Sequence, residues 1–464
     1  MITKQLRAAI PAAVRHICGR LQQLGHSAWV VGGCVRDHLL WELSSAVGEP
    51  PRGDWDITTS ATPQQVQALF SRVIPTGIDH GTVTVLVNKV GFEVTTFRTE
   101  SGYHDGRRPS EVSFVDDLIA DLARRDFTVN AIAYDPLSDK LADPFDGVRD
   151  LERRLLRAVG NPEERFREDG LRTLRAARFV ATLEFQLDEQ TERAIRPSLE
   201  SYRKISSERV RDEWQKAMSA RRPSLAFDIM MRHGLLDITA PELVDCTHVR
   251  CPEGFEGSLW NYVLRCVDEC PPRLLVRMAA LLHGVGKPRE AGSKSAEIAH
   301  EAMGAGLTKD IVRRLKFSNA EAARIVSVVQ NQRIDGAESW SDAAVRRWLR
   351  RVTPPITEDV YELNRARARA LGGTRGQVLQ HCVNDLQTRA ERLLSAGVAL
   401  STRDLAVNGH DMVQQLGLSP GRQLGELLAR LLEDVTETPE WNTREQLLER
   451  AKDIVRHRDS CGHR

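Results

Sequence analysis

The chain has 464 residues with 65 basic and 64 acidic side chains, a formal net charge of +1. That length favours two to four domains, because single cores stop growing at roughly 250–300 residues. Hydrophobic residues make up 41% and charged residues 28%, the balance of a globular protein. No run of about 20 apolar residues could span a bilayer, and charges interrupt the N-terminal 25 residues as they do not in a signal peptide. A cytoplasmic protein is expected, and any phosphate-binding face must come from local basic clusters. The eight cysteines are expected as thiols in a reducing compartment. The gaps among Cys246, His248, Cys251, Cys266 and Cys270 do not match the paired spacing of structural zinc sites.

In chain order, Leu6, Ile10, Val14, Ile17, Leu21 and Leu24 recur with a period near 3.6, which predicts one helix over the first 25 residues. Ala28–Val31 reads as a short strand closed by Gly32 and Gly33. Ile57, Val83–Val87 and Phe92–Phe97 are further β-rich runs, with turns expected at Asn88 and Gly91. From about Pro162 the strand signal disappears and helices follow one another. Basic residues gather in this second part, as Lys204, Arg209, Arg211, Lys216, Arg221 and Arg222, and again from Arg346 to Arg375. Such runs suit a phosphate backbone, and equally a solvated helix face. There is no internal repeat.

Two short segments carry chemistry. In Gly53-Asp54-Trp55-Asp56-Ile57, acids separated by one residue on a strand project to the same side. Like charges so close call for a cation, and magnesium accepts one or two carboxylates plus substrate phosphates. A polar strand end gives the same pattern. About twenty residues earlier lies Val31-Gly32-Gly33-Cys34-Val35-Arg36-Asp37, a strand that turns into a helix through two glycines. Bare glycine lets backbone amides approach a phosphate at a helix N-terminus, where Arg36 adds a charged donor. A glycine pair alone also makes an ordinary turn.

Taken together, VVGGCVRD, GDWDITTSATPQQV, FEVTTFR, DLARRDFTVNAIAYD, DPFDGVRDL and REDGLRTLRAARF resemble the successive motifs of class II tRNA nucleotidyltransferases (CCA-adding enzymes) and bacterial poly(A) polymerases. LLHGVGKP, EIAHEAMGAGL, RRLKFSN and DLAVNGHDMVQQLGLSPG extend the resemblance loosely over nearly the whole chain. The implied fold is α+β: a mixed α/β head similar to the DNA polymerase beta superfamily over 1–160, then an elongated all-helical part. That part would comprise a neck with a base-reading motif over 161–225, a body like a degenerate HD domain over 226–345, and a tRNA-binding tail over 346–464.

The implied activity is template-independent addition of C and A from CTP and ATP to a tRNA lacking part or all of its 3′ CCA end. A 3′ hydroxyl would attack the α-phosphorus in line, with pyrophosphate leaving and two metal ions at the reacting oxygens. Asp54 and Asp56 would hold Mg²⁺, and Glu93 would be a third carboxylate near the primer hydroxyl. Gly33, Arg36 and Arg125 would contact phosphates and sugar. Asn130 would support the ribose side, although it and Arg124 could equally brace the head.

In the neck, Asp169, Arg172, Arg175 and Arg178 are spaced to share one helical face, which also describes a surface salt-bridge ladder. In the family's pattern this stripe reads the base. Cytosine and adenine offer an amino donor beside a ring-nitrogen acceptor, so Asp169 would accept while Arg172 donates. Uracil and guanine would meet like against like, at about 1–3 kcal/mol per unmatched group.

Family members that add only the terminal A, or longer poly(A), share these motifs. Thr99–Pro109 resembles the flexible loop that CC-only members lack. An HD-type phosphohydrolase is the reading from another class. Here, however, Gly284 follows His283 where the HD pattern has Asp, and Asn261 stands where it has His, leaving His283 and His300 a poor divalent site. Oligomeric state is not legible in the sequence.

Overall fold

Pro11 breaks the N-terminal periodicity. Its missing N–H and its fixed φ of −61° end one helix, Lys4–Ala9, and start another, Ala12–Gln23. The single helix expected there is therefore two. The computed structural model describes residues 4–44, 49–51, 53–101, 111–251, 255–290 and 299–461. It divides into two compact units, Met1–Pro241 and Glu242–Arg464.

The first unit is built on a seven-stranded mixed sheet. Its strands are β1 (Ala28–Val31), β2 (Asp56–Thr59), β3 (Val73–Gly77), β4 (Thr82–Val87), β5 (Val90–Thr96), β8 (Ala133–Asp135) and β9 (Lys140–Ala142), in spatial order β3-β4-β5-β2-β1-β8-β9. Outside it, β6 (Arg98–Ser101) and β7 (Glu111–Phe114) form a separate antiparallel ribbon. Of the Thr99–Pro109 loop, Thr99–Ser101 belong to β6 and 102–109 lie outside the described residues. The β4–β5 hairpin turns through Asn88 and Lys89, both left-handed (φ 52° and 68°), so Gly91 sits inside β5 rather than at the turn.

The central register decides where the acids fall. β1 runs antiparallel to β2 with Val31 opposite Asp56, and β2 runs parallel to β5 with Ile57 beside Val94. Asp56 therefore neighbours both the glycine turn after β1 and the residue before Val94, which is Glu93. Val31, Leu122, Ala131, Ala133 and Val159 pack as one buried cluster beneath this edge.

Several motif residues hold the backbone rather than a ligand. Thr62 and Gln65 of SATPQQV form a capping box with Pro63 in the first turn of the helix Pro63–Leu69. Asp143 of DPFDGVRDL accepts from the Gly147 and Val148 amides, and Asp150 accepts from Thr128 Oγ1 at 2.6 Å.

Helices Pro162–Glu168, Leu171–Leu183 and Ser207–Met218 follow. The helical part nevertheless contains a strand that periodicity missed. β11 (Gln186–Leu187) pairs in parallel with β10 (Leu155–Leu156), two residues each, too short to leave a pattern.

The second unit is helical. From Leu259–Glu269 to Arg444–Cys461 its helices bury two-sided apolar faces, and Ala399–Ala451 contribute a cluster centred on Leu431, Val435 and Leu447. Many of its arginines are committed internally. Arg346 is buried and donates to the Thr436 and Glu437 carbonyls (2.6 and 3.0 Å), capping the C-terminus of Arg422–Glu437. Arg365 pairs with Glu362, Arg369 with Glu269 and Arg350 with Glu433, and Arg367 is buried. Among the described residues no helix is long and apolar enough to cross a membrane.

Gly170, between two neck helices, lies hard against another backbone. A Cβ added there would stand 2.4 Å from the Ser201 carbonyl carbon and oxygen. Gly170→Ala should cost about 1–3 kcal/mol of overpacking, lowering the first unit's melting midpoint by about 2–12 °C in calorimetry. An unchanged midpoint would mean that the 201–202 backbone yields freely.

Candidate active site

Gly32 follows β1 with φ 83° and ψ −144°, a conformation closed to residues with a Cβ, and its carbonyl accepts from the Arg36 N–H at 3.1 Å to open the helix Gly33–Leu43. Side chains also crowd it. A Cβ on Gly32 would lie 3.4 Å from Asp56 Oδ2 and 3.6 Å from Arg125 Nη1. The glycine turn, one of the two predicted acids and a predicted phosphate-binding arginine thus meet at one end of the sheet.

Asp54 differs from the expectation of two acids on one strand. β2 begins at Asp56, and Asp54 lies exposed in the segment leading into it. The side chain between them explains the geometry. Trp55 packs on His38 of the Gly33–Leu43 helix, ring centroids 5.0 Å apart, and His38 is held by Cys34 O at 2.8 Å. With Trp55 anchored on the helix, both neighbouring carboxylates remain at the sheet edge. Glu93 is exposed on β5, whose Phe92 and Val94 point inward.

The three acids repel one another. Burial, reinforced by Glu93 and Asp54 and opposed by Arg125, pushes the Asp56 carboxyl up to about 6. Among the described residues, no three Asp, Glu, His or Cys side chains converge as a ready-made metal site. Two hard carboxylates with excess negative charge beside an anion-binding turn are nevertheless the donor set that magnesium accepts, its remaining ligands being phosphate and water. Arg125 is half-buried and its Nε has no hydrogen-bond partner. Burial lowers its guanidinium pKa, with Asp121 opposing, and its Nη1 is the atom that lies beside the Gly32 turn. The residues present fit both groups.

Arg36 is buried, donates through Nη1 to Asn130 Oδ1 at 2.7 Å and pairs with Asp37 at 2.8 Å. Asn130 in turn donates to Asp126 Oδ1 at 3.0 Å. Here Asn130 braces Arg36, and Arg124 braces Asp121 at 2.8 Å.

The neck corrects one reading. Asp169 is not on the helical face with the arginines, because it ends Pro162–Glu168 in an extended conformation (φ −133°, ψ 104°) and the next helix starts at Leu171. Nor does it pair with Arg172. Asp169 is held by Arg209, at 2.8 Å and 3.3 Å, and by the Leu171 amide at 3.0 Å. Arg172 Nη1 donates to Glu168 and to Arg165 O, and Nη2 to Arg124 O.

Arg175 and Arg178 do share a face of Leu171–Leu183, yet they point to a different centre. Arg36, Arg175 and Arg178 all lie over the Phe179 ring, 5.1, 5.3 and 3.7 Å from its centroid. Arg175 donates to Asp126 at 2.8 Å, and Arg178 to the buried Glu213. Burial alone would raise the Asp126 carboxyl. The Arg175 charge and the Asn130 hydrogen bond outweigh it and hold the group well below the carboxylate range. Asp126, Phe179, Arg209 and Glu213 were not predicted. Asp126 and Phe179 stand inside the motifs, whereas Arg209 was noted only within a basic run suited to phosphate, and Arg209 and Glu213 lie 40 and 35 residues from their partners.

In the second unit, Gly284 cannot be exchanged for an aspartate at no cost. Its Cβ would meet Val263 at 3.1 Å and Leu259 at 3.3 Å. Asn261 is spent on the capping box with Ser258. Buried Cys246 and Cys270 are thiols that burial pushes up to about 12.

The chain is similar to known proteins in sequence and fold. Residues 28–157 match the poly A polymerase head domain, 184–246 the RNA and SrmB-binding site of polymerase A, and 302–451 the tRNA nucleotidyltransferase domain 2. The CCA-adding enzyme of Lactobacillus helveticus is 50% identical over 211 residues, 46% of this chain and 51% of that one, so the match spans about half of that relative's length. The CCA-adding enzyme of Ligilactobacillus salivarius is 31% identical over 98% of both chains. Among solved structures, the Bacillus stearothermophilus CCA-adding enzyme in complex with CTP covers 99% of both chains at 28% identity, with a TM-score of 0.68.

The raised Asp56 carboxyl has a stability consequence. Its folded pKa of about 6 lies above an unfolded value near 3.9, so the ionised form burdens the fold above pH 6 and the burden fades as pH falls through the window between them. With chelator present, Asp56→Asn should stabilise the protein at pH 7.5 by about 1–2 kcal/mol, discounted for partial exposure. Thermal melts should show that gain vanish near pH 4.

Proposed function

Because the chain belongs to the CCA-adding enzyme family, we propose that it adds C and A from CTP and ATP to the 3′ end of tRNA lacking part or all of its CCA, without a template. The observation that carries the proposal is the meeting of Asp56, the Gly32 turn and the Arg125 guanidinium at one sheet end. Metal and phosphate roles thereby fall on one volume.

Asp54 and Asp56 would hold magnesium, which supplies charge neutralisation between the carboxylates and the triphosphate. The amides at the start of Gly33–Leu43 and the Arg125 guanidinium bind the phosphate chain. Arg36, fixed by Asn130 and Asp37, keeps Nη2 close over Gly33, 3.5 Å from where its Cβ would be, as a further donor. Exposed Glu93, next to Asp56, accepts from the primer's 3′ hydroxyl and orients it toward the α-phosphorus.

Asp169 and Arg172 read the base. A guanidinium has five N–H donors. Arg172 spends three, leaving Nε–H and one Nη2–H to meet a ring nitrogen. Both side chains are held by other partners, so they do not neutralise each other.

Asp54→Ala and Asp56→Ala should each abolish nucleotide transfer in a magnesium-dependent assay while the protein remains folded by circular dichroism. Turnover at the parent rate by either variant rejects the metal assignment. Incubating tRNA that ends before CCA with each nucleotide alone and in pairs, and sequencing the products, distinguishes full CCA addition from A-only or poly(A) synthesis. Asp169→Ala should narrow the CTP-to-UTP preference by about 5- to 150-fold, the loss of one 1–3 kcal/mol hydrogen bond. An unaltered ratio would reduce the pair to structural braces.

A further inference from the structure

We propose that Arg209 is a specificity-determining positioning residue that leaves Asp169 a single acceptor direction for the incoming base. The inference rests on the reading of Asp169 as the base's acceptor and adds what makes that acceptor selective.

A carboxylate offers roughly four lone-pair sites. On Asp169, Oδ1 accepts from the Leu171 amide at 3.0 Å and from Arg209 Nη1 at 3.3 Å, while Oδ2 accepts from Arg209 Nη2 at 2.8 Å. Three sites are taken and one, on Oδ2, is left. The fork of Arg209 is planar and rigid, so it fixes the plane of the carboxylate as well as its position. Asp169 lies in an extended break between helices, where the one local restraint on its side chain is the Leu171 amide on Oδ1, which leaves Oδ2 and the carboxylate plane unset. Arg209 comes from a separate helix, Ser207–Met218, and supplies the missing restraint from outside. Both partners are largely shielded, with 24% and 18% side-chain exposure.

A freely rotating carboxylate could turn any of its lone pairs toward a base and accept from the ring N–H of uracil or guanine, or from a bridging water. A clamped one presents a single oxygen direction, matched to one exocyclic amino hydrogen. Arg209 also separates the reading pair. With its own partner, Asp169 does not swing onto Arg172, which Glu168 holds at 2.7 Å.

The test measures incorporation of CTP and UTP, separately, on one tRNA primer. Arg209→Ala should narrow the CTP-to-UTP ratio of kcat/KM by about 2- to 10-fold, and Arg209→Lys, which keeps charge without the fork, should fall between it and the parent. In an Asp169→Ala background, Arg209→Ala should change the ratio no further. A merely structural role would lower both nucleotides alike, so a constant ratio in Arg209→Ala and Arg209→Lys overturns the proposal when Asp169→Ala does shift it. If Asp169→Ala leaves the ratio unchanged as well, the base-reader reading fails first and takes this inference with it. Should Arg209→Ala not fold, the Arg209→Lys ratio alone decides.

Discussion

Everything in the first unit's site hangs on one buried carboxylate. Asp126 accepts from Asn130 in the sheet-bearing part and from Arg175 on Leu171–Leu183. An unpaired ion at that depth would cost several kcal/mol, so neither partner is dispensable. Through Asn130 the same carboxylate fixes Arg36 over the glycine turn, and through Arg175 it holds the neck helix Leu171–Leu183. The two ends of the proposed reaction, phosphate and base, are thereby referred to a single charge.

This accounts for acidic and basic residues beyond those that chemistry needs. Arg36, Arg175 and Arg178 converge on the Phe179 ring, and three cations so close repel one another. Asp37, Asp126 and Glu213 offset that repulsion, and the ring face adds attraction from its quadrupole. Asp121 does the same for Arg124 and Arg125 while accepting from Thr58 on β2. In the motif DLARRDF two adjacent arginines are flanked by acids, and Asp121 holds both of them.

The geometry of the candidate edge was legible because it is local. β1, the glycine turn and the acids lie within about thirty residues, and alternation on β5 exposes Glu93 without help from tertiary contacts. The alpha-plus-beta division was equally legible, since apolar period changes from two to 3.6 near residue 160. What the sequence concealed depends on contacts distant in the chain or on breaks in periodicity. The spacing of Asp169 and Arg172 is helical, yet Asp169 itself is extended and ends one helix just before Gly170, which packs on the Ser201 backbone and caps the next. β11 has two residues, too few for a pattern. The arginines from Arg346 to Arg375 look like a phosphate-binding face by count. Several instead cap helix ends or pair with glutamates, because a neutral chain supplies nearly one acid for every base.

A template strand selects a nucleotide with a rigid row of donors and acceptors, and side chains can imitate it only if they are as rigid. Arg172 is anchored to Arg124 O, and Arg124 adjoins Arg125 at the phosphate end. On the proposed function, a base that satisfies Asp169 and Arg172 would be placed, through a short chain of fixed contacts, relative to the segment proposed to receive its triphosphate. A base that does not fit loses its hydrogen bonds and also shifts its α-phosphorus from the line of attack. Misplacement by about 1 Å can cost on the order of 10²-fold in rate. On the proposed function, discrimination at the base is thus multiplied by alignment at the phosphate, so two side chains can exclude what their hydrogen-bond energies alone would only disfavour.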